Sequence, residues 1–291
     1  MSHATRTPYQ TLISASELRD LLTQDLPLLL IDASFDLANP GAGEQAYQQE
    51  HLPGAHYLHL ERDLSAPKLP PGPGFSGRHP LPDREAFARR LATLGLDAQT
   101  QVVVYDSQNG MTAARLWWML RWLGHDTVAV LDGGLPAWRA AQGPLVSERP
   151  ALGSPGSFKL QASLENTVDA PTLLKRLGNV RLIDARAGER FRGETEPLDA
   201  KAGHIPGAVN RFFKDNLAPD GRFKPAAQLR AEFEKLLAPF EAEQVVHQCG
   251  SGVTACHNLL AMAHAGFSGA RLYPGSWSEW SADPARPVAQ G

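Results

Sequence analysis

Leu30-Ile31-Asp32-Ala33-Ser34 returns in the second half of the chain as Leu182-Ile183-Asp184-Ala185-Arg186. In each copy an apolar run ends in an aspartate, as a buried strand does when it brings a polar residue to its carboxyl end. The likeness extends outward. His51-Leu52-Pro53-Gly54-Ala55 returns as His204-Ile205-Pro206-Gly207-Ala208, and Gly110-Met111-Thr112-Ala113 returns as Gly252-Val253-Thr254-Ala255. Asp132-Gly133-Gly134 with Trp138 returns as Pro274-Gly275-Ser276 with Trp280. The four pairs keep one order, and their spacing changes once. The chain reads as a duplicated module. Its 291 residues suit two domains at roughly 150 residues each. Gly143 to Ser157 is rich in Pro, Gly and Ser and marks the junction. The expected division is a first module over 1–146, a linker over 147–157 and a second module over 158–291.

Both halves alternate helix and strand. Ser14 with Glu17 spells a capping box ahead of Leu18, Leu21 and Leu22. Asp83 can cap a helix that carries Phe87, Leu91 and Leu94 on one face. Gln101 to Tyr105 is a β-branched strand, followed by a loop, a helix with Leu116, Met119, Leu120 and Leu123, and a strand at Val128 to Leu131. The second half predicts strands at 181–185, 244–248 and 271–273 and helices near 225–237 and 254–264. The fold class is α/β, each module a mostly parallel sheet flanked by helices.

Composition narrows the function. Lys+Arg number 28 against 31 Asp+Glu, for a net charge of −3, so no basic nucleic-acid-binding surface is expected. Residues 1–6 lack the apolar core of a signal peptide, and the longest aliphatic stretch, Leu26 to Ile31, is too short to span a bilayer. Two cysteines, Cys249 and Cys256, make no disulfide framework and fit a reducing, cytoplasmic setting.

One loop carries chemistry. Val245-Val246-His247-Gln248 leads as a strand into Cys249-Gly250-Ser251-Gly252-Val253-Thr254, and a helix begins around Thr254. Ligands of open α/β sheets bind beyond the carboxyl ends of the strands. Gly250 and Gly252 are expected to take backbone angles closed to other residues. Successive N–H groups of such a loop form an anion nest, and the helix adds its positive end. Both favour a thiolate on Cys249. The plainer reading is a buried cysteine acting as a small hydrophobe. A cysteine phosphatase would need an arginine after five intervening residues, where this chain has Ala255.

The duplication, the two His-x-Pro-Gly-Ala segments and Cys249-Gly250-Ser251-Gly252-Val253-Thr254-Ala255-Cys256 resemble the tandem-domain rhodanese-type sulfurtransferases, closest to the 3-mercaptopyruvate sulfurtransferases. The resemblance implies two rhodanese-like modules, of which only the second is catalytic; Ser107 stands opposite Cys249 in the first. It implies that Cys249 takes sulfur from a small-molecule donor as a persulfide and passes it to an acceptor: a thiol, thioredoxin or cyanide. Neither a metal nor an organic cofactor is expected. Thiosulfate is the alternative donor, and a non-enzymatic sulfur carrier the reading from another class.

The resemblance also implies a Ser–His–acid arrangement of Ser251, His79 and Glu61, with glutamate where the family has aspartate. Arg190 would bind the donor anion, with Gly250, Gly252, Val253 and Thr254 around it. Arg186 could add positive potential but suits structural ion pairs. Where similar mercaptopyruvate enzymes carry Glu-Pro-Arg, this chain has Glu196-Pro197-Leu198, a departure shared with thiosulfate enzymes; with Gly250 and Ser251 in the loop, no side-chain cation is expected beside the cysteine. His51 and His204 recur in both modules and suit structural roles. Cys256 suits packing, with a resolving thiol as its alternative. Trp117, Trp118 and Trp122 suit core and inter-domain contacts.

Overall fold

The structure, a computed structural model, describes residues 7–151 and 153–291. Residues 1–6, read above for the absence of a signal peptide, lie outside them. The first module comprises β1 (Leu12–Ile13), α1 (Ala15–Leu22), β2 (Leu28–Asp32), α2 (Ala42–Gln49), β3 (His56–Tyr57), α3 (Arg84–Ala92), β4 (Gln101–Tyr105), α4 (Ala113–Trp122), β5 (Val128–Leu131) and α5 (Gly134–Ala140). The second comprises β6 (Asn166–Thr167), α6 (Ala170–Lys175), β7 (Arg181–Asp184), α7 (Gly188–Arg192), β8 (Val209–Asn210), α8 (Ala226–Leu237), β9 (Val245–Gln248), α9 (Ala255–His264), β10 (Arg271–Leu272) and α10 (Ser276–Ala282).

The two sheets have the same strand order, β1-β5-β4-β2-β3 and β6-β10-β9-β7-β8. Every pairing is parallel. Parallel strands are buried on both faces, which is why Gln101–Tyr105 is buried throughout and carries no alternation. Local chemistry sets the helix starts. Ser14 accepts from the Glu17 N–H while Glu17 reaches back to the Ser14 N–H, and the Asp83 side chain accepts from the Ala86 N–H.

The modules share a core. α4 packs against α9, and one apolar cluster holds Leu116, Met119 and Leu120 with Leu259, Leu260 and Met262. Trp117 and Trp118 are fully buried in it, and Trp118 stacks on Trp122 at 5.9 Å. The connecting segment runs back along the first module: the Gly156, Phe158, Gln161 and Leu164 N–H groups donate to the carbonyls of Ala92, Leu96, Leu123 and Arg121. The second sheet begins only at Asn166.

The copies differ where β2 and β7 end. In the second module Arg186 donates to Asp184 from Nε at 3.0 Å and Nη2 at 2.7 Å. In the first, Ser34 stands in that place and gives Asp32 its backbone N–H at 2.8 Å but no cation. Burial pushes the Asp32 carboxyl up to about 6, from an ordinary 3.8. Between those values the folded chain keeps a proton that the unfolded chain has lost, so stability falls as pH rises through that window. Asp32→Asn should therefore match the parent chain near pH 4 and exceed it at pH 7 by on the order of 1–3 kcal/mol. Urea unfolding at the two pH values checks this; an equal difference at both would remove Asp32 as the source.

Candidate active site

β9 lies between β7 and β10 and ends at Gln248, which places Cys249 at the carboxyl edge of the second sheet. The chain then turns over Gly250–Thr254 into α9. Gly252 has φ +76°, and a Cβ there would lie 2.3 Å from the Pro274 carbonyl oxygen, so only glycine fits. Gly250 corrects the expectation: it does not take a left-handed angle. It is small because a Cβ would meet Arg78 Nη2 at 2.9 Å. The Cys249 N–H donates to Ser276 Oγ at 3.1 Å. Among the described residues, the N–H groups of Gly250, Ser251, Gly252 and Val253 have no protein acceptor.

The equivalent loop of the first module is filled. The Asp106 carboxylate accepts from the N–H groups of Gln108, Gly110, Thr112 and Ala113 at 2.8–2.9 Å. Alignment of Gly110 with Gly252 puts Asp106 opposite Gln248. Gln248 is fully buried, and both polar atoms of its side chain lack partners. An internal anion thus occupies one nest and is missing from the other.

Cys249 opens on a cleft of about 220 Å³ that both modules line. The first module gives Phe35, Arg78 and His79; the second gives Arg190, Phe213 and Ser251. Across the junction His79 Nδ1 and Ser251 Oγ are 2.7 Å apart. His79 Nε2 lies 3.8 Å from Glu61 Oε1, beyond hydrogen-bond reach, and Glu61 is half exposed. Burial pushes the imidazole down to about 3, helped by Arg115, Arg78 and Lys68. His79 is therefore a neutral base at neutral pH, and Glu61 becomes an ion-pair partner only once the ring takes a proton.

The arginines need one correction. Arg186 lines the cleft, but its donors are committed to Asp184, Glu196 and the Gly203 carbonyl, and its guanidinium lies 4.7 Å from the Trp277 ring centre. These contacts are the structural ion pairs that the sequence suggested for it. Arg190 is held by Glu196 at 2.6 Å and Asp199 at 3.3 Å through Nη2 alone. Its Nη1 lies 3.6 Å from the position of a Cβ on Gly250. The sequence reading missed Arg78. This first-module residue pairs with Asp199 and brings a guanidinium beside Gly250, where no side-chain cation was expected. Its neighbour His79 was the only local signal. Val253 and Thr254 line the cleft as expected.

Several structural expectations find their partners. His51 Nδ1 bonds the Tyr47 carbonyl at 2.7 Å, and His204 Nδ1 the Phe191 carbonyl at 2.8 Å. Each imidazole stacks on the aromatic ring of that same residue. Cys256 is buried, with its thiol directed at the Gly252 carbonyl and pushed up to about 12 by burial. Both cysteines are free. Among the described residues no cluster of His, Cys, Asp or Glu could hold a metal, and no helix is long and apolar enough to cross a membrane.

The profile of the Rhodanese-like domain matches residues 14–141 and 169–283. The chain belongs to the rhodanese family, in tandem form, and is a sulfurtransferase. A protein of Pseudomonas aeruginosa named "Probable 3-mercaptopyruvate sulfurtransferase" is 50% identical over 283 residues, covering 96% of this chain and 98% of that one. The thiosulfate sulfurtransferase of Mus musculus is 35% identical over 275 residues, covering 91% and 89%. The crystal structure of the 3-mercaptopyruvate enzyme of Escherichia coli superposes with a TM-score of 0.76 at 32% identity, covering 93% of this chain and all of that one.

Arg186 offers a check on the division of labour among the arginines. Removing one partner of a buried ion pair leaves the other charge uncompensated, at a cost of about 3–5 kcal/mol. Arg186→Met should lower the unfolding free energy by that order in urea titrations. An unchanged midpoint would return Arg186 to the cleft as a free cation.

Proposed function

We propose that this sulfurtransferase takes sulfur from 3-mercaptopyruvate onto Cys249 and hands it to a thiol acceptor. The observation that carries the reading is a cysteine at a strand end, followed by four loop N–H groups without protein acceptors among the described residues, with the Ser251–His79 pair beside it. The Cys249 thiolate attacks the donor sulfur. The bond from that sulfur to the donor carbon breaks, and its electron pair leaves as the enolate of pyruvate. The persulfide first carries the donor's thiol proton; Ser251 and the neutral His79 pass a proton to the enolate carbon as that one leaves, which gives pyruvate and the terminal sulfur anion. The free N–H groups hold the terminal sulfur anion of the persulfide. An acceptor thiolate (thioredoxin or a small thiol, or cyanide in an assay) then attacks that sulfur and regenerates Cys249.

Arg190 and Arg78 hold the donor carboxylate between them, Asp199 keeping the two guanidinium groups side by side. Arg78 supplies the guanidinium that Leu198 does not. The first module contributes walls and His79, and its Ser107 loop carries no thiol. Free thiols suit a reducing compartment, the cytoplasm in this reading. The cation that Arg78 places beside the cysteine also suits thiosulfate, a dianion, as a second donor. Initial rates with the two donors, measured side by side with cyanide as acceptor, decide between them; a higher kcat/KM for thiosulfate would reverse the assignment.

Incubation with donor and no acceptor should add one sulfur atom to the intact chain, located on Cys249 by mass spectrometry. Cys249→Ser should gain none and lose turnover. Sulfur on Cys256 would overturn the scheme.

Ser251→Ala and His79→Gln should each lower kcat/KM for mercaptopyruvate by about 10²-fold. Because the two act through one hydrogen bond, the double variant should lose little more than either single one. Losses that multiply would show that the pair does not work as a relay.

A further inference from the structure

Arg115 on α4 is fully buried and has no carboxylate partner among the described residues. A buried guanidinium without an anion is costly, so its surroundings should say what it serves. It reaches out of its own module. Nη1 donates to the Gly252 carbonyl at 3.1 Å, and Nη2 donates to the His79 carbonyl at 3.1 Å. Those two residues flank the His79–Ser251 hydrogen bond, so one planar group ties both sides of it. Nε has no partner.

The duplication supplies a control. Alignment of α4 with α9 puts His257 opposite Arg115. His257 makes the reciprocal crossing: its Nε2 lies 3.2 Å from the Asn109 carbonyl of the first module's loop. Burial pushes that imidazole down to about 4, so it is neutral. The loop with an internal carboxylate, Asp106, therefore faces a neutral crossing residue. The loop with the neutral Gln248 faces an obligate cation. The charges are exchanged between the copies as if an anion belonged in each nest, supplied by Asp106 in one and by the sulfur of Cys249 in the other.

Other charges around Cys249 are already matched. Arg186 and Arg190 are held by Asp184, Glu196 and Asp199, and Arg78 by Asp199. His79 is neutral, with Glu61 on its far side. Cys256 stays a thiol, its proton held well above neutral pH.

We propose that Arg115 is a positioning residue of the reaction. It locks the Cys249 loop to the His79 segment and presents, from the module without the thiol, the fixed positive charge that the sulfur anion faces. The proposal rests on Cys249 as the sulfur-carrying thiol.

Alkylation of Cys249 by iodoacetamide in the full chain, followed from pH 5 to 10 and located by mass spectrometry, tests it. Arg115→Lys should keep the parent pH profile. Arg115→Met and Arg115→His should shift it upward by about one pH unit, so that alkylation at pH 7 slows about tenfold, although losing an unpaired buried charge need not lower the melting temperature. Gln248→Asp leaves Arg115 in place and installs the carboxylate of the first loop. It should give the same upward shift, which keeps the test decisive if the Arg115 variants fold poorly. Parent-like profiles in Arg115→Met and Gln248→Asp would overturn the proposal. A parent chain that forms no persulfide on Cys249 would instead overturn the reading beneath it.

Discussion

The apolar seam between α4 and α9 is the constraint on which the rest depends. Side chains of both helices interdigitate in one core, and a close-packed interior holds its parts to fractions of an ångström. Only with the modules fixed to that tolerance can His79 of one and Ser251 of the other stay within a 2.7 Å hydrogen bond. Arg78 and Arg115 depend on the same seam, since both leave the first module to act on the loop of the second. The first module is thus half of the cleft rather than an appendage to it.

Electrostatics within the cleft follow one pattern. Carboxylates buried behind the wall, Asp184, Glu196 and Asp199, take up part of each arginine and fix its orientation. What remains of Arg190 and Arg78 faces the space beside Gly250. Arginine suits this division, because its fork of five donors can serve a fixed partner and a transient one together. Arg186 stands nearer the fixed end of this range, with Nε, Nη1 and Nη2 all bonded within its own module.

Much of this was legible in the sequence. The strands and the long helices follow from apolar runs, and α1 and α3 also from side-chain caps, all local signals, and the repeat supplied the domain plan. The Cys249 loop was legible because strand, glycines and helix start adjoin one another in the chain. The short elements were not. β3, β6 and β8 have two residues each, and α2 follows Gly41, which offers no side-chain cap. Within the site, Arg78, Asp199 and Arg115 went unread for a different reason. Their roles are set by contacts across the seam, and no spacing rule within one segment reports such contacts. Arg115 was further hidden in α4, which is buried on nearly all sides and so lacks the polar face that would set a functional arginine apart. Gly250 was misread because a glycine kept for a neighbour's sake looks the same in sequence as one kept for its own backbone.

The filled loop of the first module has a thermodynamic consequence. Asp106 holds four N–H groups of that module's loop as soon as the chain folds. On the proposed reading, the loop of the second module meets an anion only when sulfur settles on Cys249. Anything that binds the folded state alone raises its resistance to unfolding. A covalently attached sulfur that the loop grips does the same, so the two halves of one chain, built alike, reach full bonding by different routes: one from its sequence, the other from its turnover. On the proposed scheme the sulfur-loaded form is the more stable one, and each turnover carries the second module into that state and out of it again.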